Sequence, residues 1–283
     1  MRNEKIVKKL DLPFLAWKKN VHSQSGEDGI IEHIFDQIGI KSGYFVEFGA
    51  WDGRHLSNCA KIADENWRGL FIEGDIERHK VLVHNYTDKP NIKCLHRFVQ
   101  SKGENRLDAI LHEAGAPEVI DILSIDIDGN DYHVWNGMED YTAKLVVVEF
   151  NPTIPADTIY VQENDLNINR GASLAAFIEL AEIKGYGLVA ATDWNAFFLQ
   201  KEIIKFSGLQ TYTADQVKNT AYETSLFHGF DGTVIVAGNR KLIWHGIDYG
   251  AEEMQILPKN IRLIPINQSQ EFFEELQDFK IKR

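Results

Sequence analysis

The stretch Tyr44-Phe45-Val46-Glu47-Phe48-Gly49-Ala50-Trp51-Asp52-Gly53 constrains the fold most. A short run of β-forming residues carrying an acid breaks into a loop whose two glycines stand four residues apart. It reads as a first strand followed by a ligand loop. The loop lacks the G-x-G-x-x-G spacing through which a backbone approaches a pyrophosphate at a helix N-terminus, so a pyrophosphate is not the expected guest. A plain glycine turn between a buried strand and a helix explains the loop equally well.

The elements that follow alternate. Leu56 to Asn66 carries helical spacing, and Arg68-Gly69-Leu70-Phe71-Ile72-Glu73 reads as a second strand ending in an acid. Glu73 lies 20 residues after Gly53, the separation at which an acid closing the second strand accepts hydrogen bonds from both ribose hydroxyls. A helix over 77–85 leads to a third strand, Ile92 to Val99. Further on, Asp121-Ile122-Leu123-Ser124-Ile125-Asp126-Ile127-Asp128-Gly129-Asn130-Asp131 puts Asp126 and Asp128 on one side of a strand's carboxyl end, where open α/β sheets bind ligands. Carboxylates crowded this closely call for a cation or strong donors. The bland reading has Asp131 capping the next helix and Asp128 closing a turn. The glycine and glutamate positions exclude an EF-hand. A fifth strand, Lys144 to Asn151, also ends in oxygen donors, so Asp128, Glu149 and Asn151 form a candidate hard-oxygen site for Mg²⁺ or Mn²⁺, with Asp126 in reserve.

A chain of 283 residues, 44% hydrophobic, suffices for one large core with additions. A formal charge of −12 offers no basic footprint for nucleic acid and turns attention to a small-molecule partner. Two cysteines, Cys59 and Cys94, are too few for a disulfide framework and too isolated for a zinc site. The start leads into no apolar signal-peptide core and no run approaches a membrane span, so a soluble, cytoplasmic protein is the expectation.

Glu47-x-Gly49-x-x-x-Gly53 resembles the first motif of class I S-adenosylmethionine (SAM)-dependent methyltransferases. Ser23-Gln24-Ser25-Gly26-Glu27-Asp28 resembles the Ser-Gln-x-Gly-Glu-Asp signature before the first strand of the FkbM-type branch, although Ser25 with Asp28 also reads as a capping box opening a helix. The resemblance spans roughly residues 23–200. It implies a Rossmann-like α/β sheet of seven strands, mostly parallel, closed by an antiparallel hairpin at Gly187–Thr192 and Ala196–Leu199. It places Gln24, Glu47, Gly49, Asp52, Gly53, Glu73 and Asp126 near the cofactor, with Phe98, Val99 and Gln100 on the adenine side. The acids at strands four and five are similar to those of metal-dependent sugar O-methyltransferases, except that Asn151 stands where a second acid is expected.

The expected organisation is an N-terminal arm (1–22), a SAM-binding core (23–205) and a C-terminal extension (206–283) packed on it. The arm mixes Lys5, Lys8, Lys9, Lys18 and Lys19 with apolar residues and suits either docking on the protein or a membrane surface. The connection from Asn151 to Gly171 is long enough to be a lid, with Tyr160, Gln162 and Asn164 as candidate sugar contacts. A helix over 172–184 is stopped by Gly185. In the extension, Gly232–Ala237 and Lys241–Trp244 read as a strand pair, and Gln270–Phe279 as a helix. This tail serves a homo-oligomer, the acceptor site or the core equally well.

The function expected is O-methylation of a hydroxyl on a sugar or a nucleotide- or lipid-linked glycan, with Asp131 as first-choice base, His133 behind it, and Asp128 assisting through a metal. Among the ten histidines, His55 and His228 are further base candidates. The rivals are a metal-dependent glycosyltransferase using Asp126-Ile127-Asp128, which leaves the glycine loop and Glu73 idle, and a non-catalytic binding scaffold.

Overall fold

The computed structural model describes residues 12–65, 67–262 and 270–282, so the Lys5, Lys8 and Lys9 part of the expected arm lies outside the described residues. The chain divides into two compact units, Met1–Pro152 with Ala156–Lys218, and Thr153–Pro155 with Asn219–Arg283.

The first unit runs α1 (Glu27–Ile38), β1 (Tyr44–Phe48), α2 (Ala60–Asp64), β2 (Arg68–Glu73), α3 (Ile76–Asn85), β3 (Ile92–His96), α4 (Leu107–Ala114), β4 (Val119–Ile125), α5 (Asp131–Asn136) and β5 (Thr142–Glu149). It continues with α6 (Leu174–Lys184), β6 (Tyr186–Ala191), β7 (Asn195–Gln200), α7 (Lys201–Ser207) and α8 (Ala214–Val217). Its strands form one seven-stranded sheet in the order β3-β2-β1-β4-β5-β7-β6. β7 alone runs opposite in direction to the other six strands. The expected Rossmann-like α/β sheet is the one observed.

The sequence pattern explains why. Strands β1 and β2 are almost continuously apolar and buried, as parallel strands covered on both faces must be. Helix α1 buries the stripe Ile30, Ile31, Ile34 and Phe35. Strand order reverses between β1 and β4, the switch point at which such sheets open a crevice beyond their carboxyl ends. Register aligns the tips: Ile72 pairs with Phe48, Phe48 with Ile125 and Ile125 with Val148. The next residue on each strand is therefore Glu73, Gly49, Asp126 and Glu149, a row across four neighbouring strands. At about 4.8 Å per strand the row spans about 14 Å.

Three expectations are corrected here. No capping box opens α1: its N-cap is Gly26, and Asp28 turns back to accept from the amides of Val21, His22 and Ser23 and from Ser23 Oγ. The helix expected over 56–66 is only α2, because Leu56 has φ 56° and residues 57–59 fold onto Glu47. In the second unit, β8 (Thr224–His228) pairs with β9 (Val234–Gly238), and β10 (Lys241–Leu242) with β11 (Ile247–Asp248), so the two predicted strands take different partners. A Cβ on Gly238, φ 85°, would lie 2.2 Å from the Glu223 carbonyl oxygen, so this position at the end of β9 has room only for glycine. A helix, α9 (Gln270–Ile281), follows. No described helix is long and apolar enough to cross a membrane.

Candidate functional site

The β1 loop is built from the inside. Glu47 is 4% exposed and accepts from Ser57 Oγ (2.6 Å) and from the amides of Asn58 (2.9 Å) and Cys59 (3.2 Å). Its carboxylate, expected near the cofactor, braces the loop entering α2. Burial pushes its carboxyl up to about 7, against the hydrogen bonds that favour the anion. Gly49 has φ 74°, and a Cβ there would lie 1.5 Å from the Asp126 carbonyl oxygen. A Cβ on Gly53, φ 70°, would meet Leu82 and Tyr86. Packing between strand tips and against α3 thus accounts for both glycines without a ligand. Asp52 Oδ1 accepts from the amides of Arg54 and His55, so its carboxylate shapes the turn. Gln24 is exposed, and the acids beside it work internally: Glu27 accepts from Ser25 N, Thr192 Oγ1 and Asn195 Nδ2.

At the tip of β2, Glu73 is only 6% exposed. Its Oε2 accepts from the Trp51 amide and its Oε1 from the Asp75 amide, each at 2.7 Å. Each oxygen keeps a second lone pair. The Phe98 ring lies over Gly74, where a Cβ would come within 2.5 Å of it, yet Phe98 is 63% exposed. On the other side Trp51, 43% exposed and held at φ 51°, carries the Arg78 guanidinium 4.0 Å from its ring centroid. Two aromatic side chains with open surface therefore stand beside one carboxylate.

Two strands away, Asp126, Asp128 and Glu149 each bring a carboxylate oxygen within 4.8 Å of the others. Asp126 and Glu149 are pushed well above the ordinary carboxylate range, first by burial and then by the acids around them; for Asp126 these are Asp131, Asp128, Glu47 and Glu27. Such a donor set, all hard oxygen and repelling itself, fits a divalent cation. Asn151, the expected third ligand, donates from Nδ2 to the Arg170 carbonyl at 2.9 Å, and Asp126, held in reserve, completes the group of three carboxylates.

Asp131, the expected first-choice base, is engaged by its own loop. It is the first residue of α5 rather than its cap, it is buried, and its two oxygens accept from the amides of Ile127 and Gly129, both at 2.8 Å. Those amides flank Asp128, whose φ is 59°. Asp131 thereby holds Asp128 in a left-handed conformation with its side chain exposed. His133 is half-buried, with Nε2 2.8 Å from the Gln162 carbonyl. His55 and His228 are exposed, and His228 belongs to the second unit.

The residues 152–171 are tied down. Gln162 is buried and bonded to Asn130, the exposed Asn164 donates to Ser101 Oγ, and the Tyr160 backbone pairs with Ser173, so of the three expected sugar contacts Gln162 is the one spent inside the protein. The sequence reading missed Trp51, Asn58 and Asn130 as parts of the scaffold. The left-handed Trp51 backbone and the burial of two amide side chains reveal them. A separate cavity of about 420 Å³ is lined by Arg106, Asp108, Ala109, His112, Glu118, Asp140 and Tyr141, at the amino ends of β4 and β5. It shares no residue with the row of strand tips.

No protein-family model matches the chain, and no curated protein matches it. Among solved structures, the chain is similar to a TehB-like SAM-dependent methyltransferase from Corynebacterium glutamicum, with 12% identity over 60% of this chain and 86% of that one and a TM-score of 0.39. The N-terminal domain of EvdMO1, solved with SAH bound, gives 11% identity, 62% and 80% coverage, and a TM-score of 0.42. A SAM-dependent methyltransferase from Aquifex aeolicus gives 12%, 59% and 87%, with a TM-score of 0.38. Likenesses this remote say nothing of function.

Proposed function

We propose that this chain is a SAM-dependent O-methyltransferase of the FkbM-type branch, acting on a hydroxyl of a sugar or sugar-containing metabolite with a divalent ion as assistant. The observation that carries the reading is the row Glu73, Gly49, Asp126, Glu149 at the switch point of the sheet. SAM supplies an electrophilic methyl group on a sulfonium centre.

Glu73 offers its two remaining lone pairs to the hydroxyls of a ribose, and Phe98 offers an open aromatic face to the attached base. Gly49 lets the tips of β1 and β4 pack closely, which brings Asp126 into the row beside it. The acids at β4 and β5 favour positive charge at the far end of the row. Asp126, Asp128 and Glu149 would hold Mg²⁺ or Mn²⁺, which lowers the pKa of a bound hydroxyl. With Asp131 committed to the loop, His133 takes the proton of the acceptor hydroxyl.

Transfer of isotope-labelled methyl from SAM to a panel of sugars, nucleotide sugars and glycolipid headgroups, with Mg²⁺ or with EDTA, tests the proposal. Label in a sugar fraction, reduced by EDTA, is expected. One observation favours a second reading: both acids of Asp126-Ile127-Asp128 belong to the cation group, as a metal-dependent glycosyltransferase requires. Stabilisation by a UDP-sugar with Mn²⁺, and none by S-adenosylhomocysteine, would select it.

A further inference from the structure

Gln162 lies midway along the connection from β5 to α6, is 2% exposed, and spends every polar atom it has. Its Nε2 donates to Asn130 Oδ1 (2.9 Å) and to the Ile168 carbonyl (2.7 Å). Its Oε1 accepts from the amides of Arg170 and Gly171, both at 2.8 Å. A carboxamide has two donors and two acceptor positions, and all four are filled. Its own amide donates to the Gly171 carbonyl (3.2 Å), and its carbonyl faces His133 Nε2 at 2.8 Å.

The partners matter more than their number. Asn130 sits between Asp128 and Asp131, in the loop that presents Asp128, and a Cβ on Gly129 would lie 2.9 Å from the Ile168 carbonyl. The connection is therefore seated directly on the acid loop. A carbonyl oxygen only accepts, so the hydrogen shared with His133 belongs to Nε2, and a neutral imidazole then keeps Nδ1 bare.

We propose that Gln162 is the positioning residue of this site: it locks the β5–α6 connection onto the acid loop and fixes His133 as the Nε2–H tautomer, making Nδ1 the proton acceptor. The role of Nδ1 rests on the methyl-transfer reading; the lock does not. A glutamate at 162 keeps both bonds to the amides of Arg170 and Gly171 but sets an acceptor against the Ile168 carbonyl. A leucine loses all four side-chain bonds.

The experiment is nitrogen NMR of ¹⁵N-histidine-labelled protein, wild type, Gln162→Glu and Gln162→Leu, with S-adenosylhomocysteine binding and methyl-transfer kinetics on the same samples. The wild type is expected to show His133 as the Nε2–H tautomer with a slowly exchanging Nε2 hydrogen. Gln162→Leu is expected to show averaged tautomers, and kcat lower by about 10²-fold, the low end of what a positioned base contributes, with KM for the methyl donor unchanged. Gln162→Glu falls between the two. An Nδ1–H or averaged His133 in the wild type overturns the proposal even if neither variant folds. So does a folded Gln162→Leu protein whose His133 signals are those of the wild type. Absence of S-adenosylhomocysteine binding with the expected tautomers removes the methyl-transfer reading and upholds the lock.

Discussion

Trp51 donates its backbone amide to Glu73 Oε2 at 2.7 Å, joining the loop after the first strand to the acid that ends the second. A tryptophan at φ 51° is an unusual backbone, and the carboxylate that holds it is the one proposed to take a ribose. Loop shape and the proposed ribose contact thus share one side chain.

Glu73→Ala is expected to weaken S-adenosylhomocysteine binding by about 10- to 100-fold, since a hydrogen bond to a charged group is worth about 1.5–3 kcal/mol. Phe98→Ala is expected to cost less, about tenfold or under, as one face of a stacked pair. Calorimetry on both variants checks the order. A Phe98 effect larger than that of Glu73 would shift the nucleoside away from β2.

Gly49→Ala and Gly39→Ala separate crowding from backbone strain. Both glycines have φ near 70°, but a Cβ on Gly39 meets nothing within 4 Å, whereas one on Gly49 lies 1.5 Å from the Asp126 carbonyl. Gly39→Ala is expected to cost about 1 kcal/mol, and Gly49→Ala about 3 kcal/mol or more. Denaturant unfolding of the pair measures the difference.

Glu47 makes stability depend on pH. Its folded pKa of about 7 lies above the ordinary value of 4.5, so the folded state binds more protons between those limits. Stability from this group is therefore greatest below about pH 4.5, falls as pH rises through 7, and is flat above, with a total of order 3 kcal/mol. Unfolding free energies of the wild type and Glu47→Gln, compared from pH 5 to pH 8, are expected to diverge with a steeper decline in the wild type. Parallel curves would show that Glu47 is ionised throughout.

The acid group should respond to metal. Repulsion among Asp126, Asp128 and Glu149 is relieved by a bound cation, so Mn²⁺ at pH 8 is expected to raise the melting temperature of the wild type. Asp128→Asn or Glu149→Gln should melt higher than the wild type without metal and gain less from it. Equal Mn²⁺ responses in all three proteins would place the ion elsewhere.

The sheet was legible because parallel strands buried on both faces leave unbroken apolar runs, and β2 is found over Arg68–Glu73 as read. The acids at strand tips were legible for the same reason: each closes such a run. What the sequence hid is how carboxylates are spent. Glu47 and Asp131 look like groups that serve a guest and, like Asp28, are bonded to the chain's own amides, because a buried backbone donor needs a partner as much as a cofactor does. The role of Gln162 was hidden for a related cause. Gln162 in a polar connection suggests contact with sugar, yet its carboxamide serves the backbone amides of Arg170 and Gly171, because a long loop seated on a core must satisfy its own backbone first. In the tail, short apolar runs separated by glycines carry no information about which partner each strand takes.

The most direct test of the central claim is isothermal titration of the full chain with S-adenosylhomocysteine. The arrangement of Glu73, Gly49 and Asp126 predicts saturable one-to-one binding that Glu73→Ala sharply weakens. No heat with S-adenosylhomocysteine, or binding that Glu73→Ala leaves untouched, would contradict it.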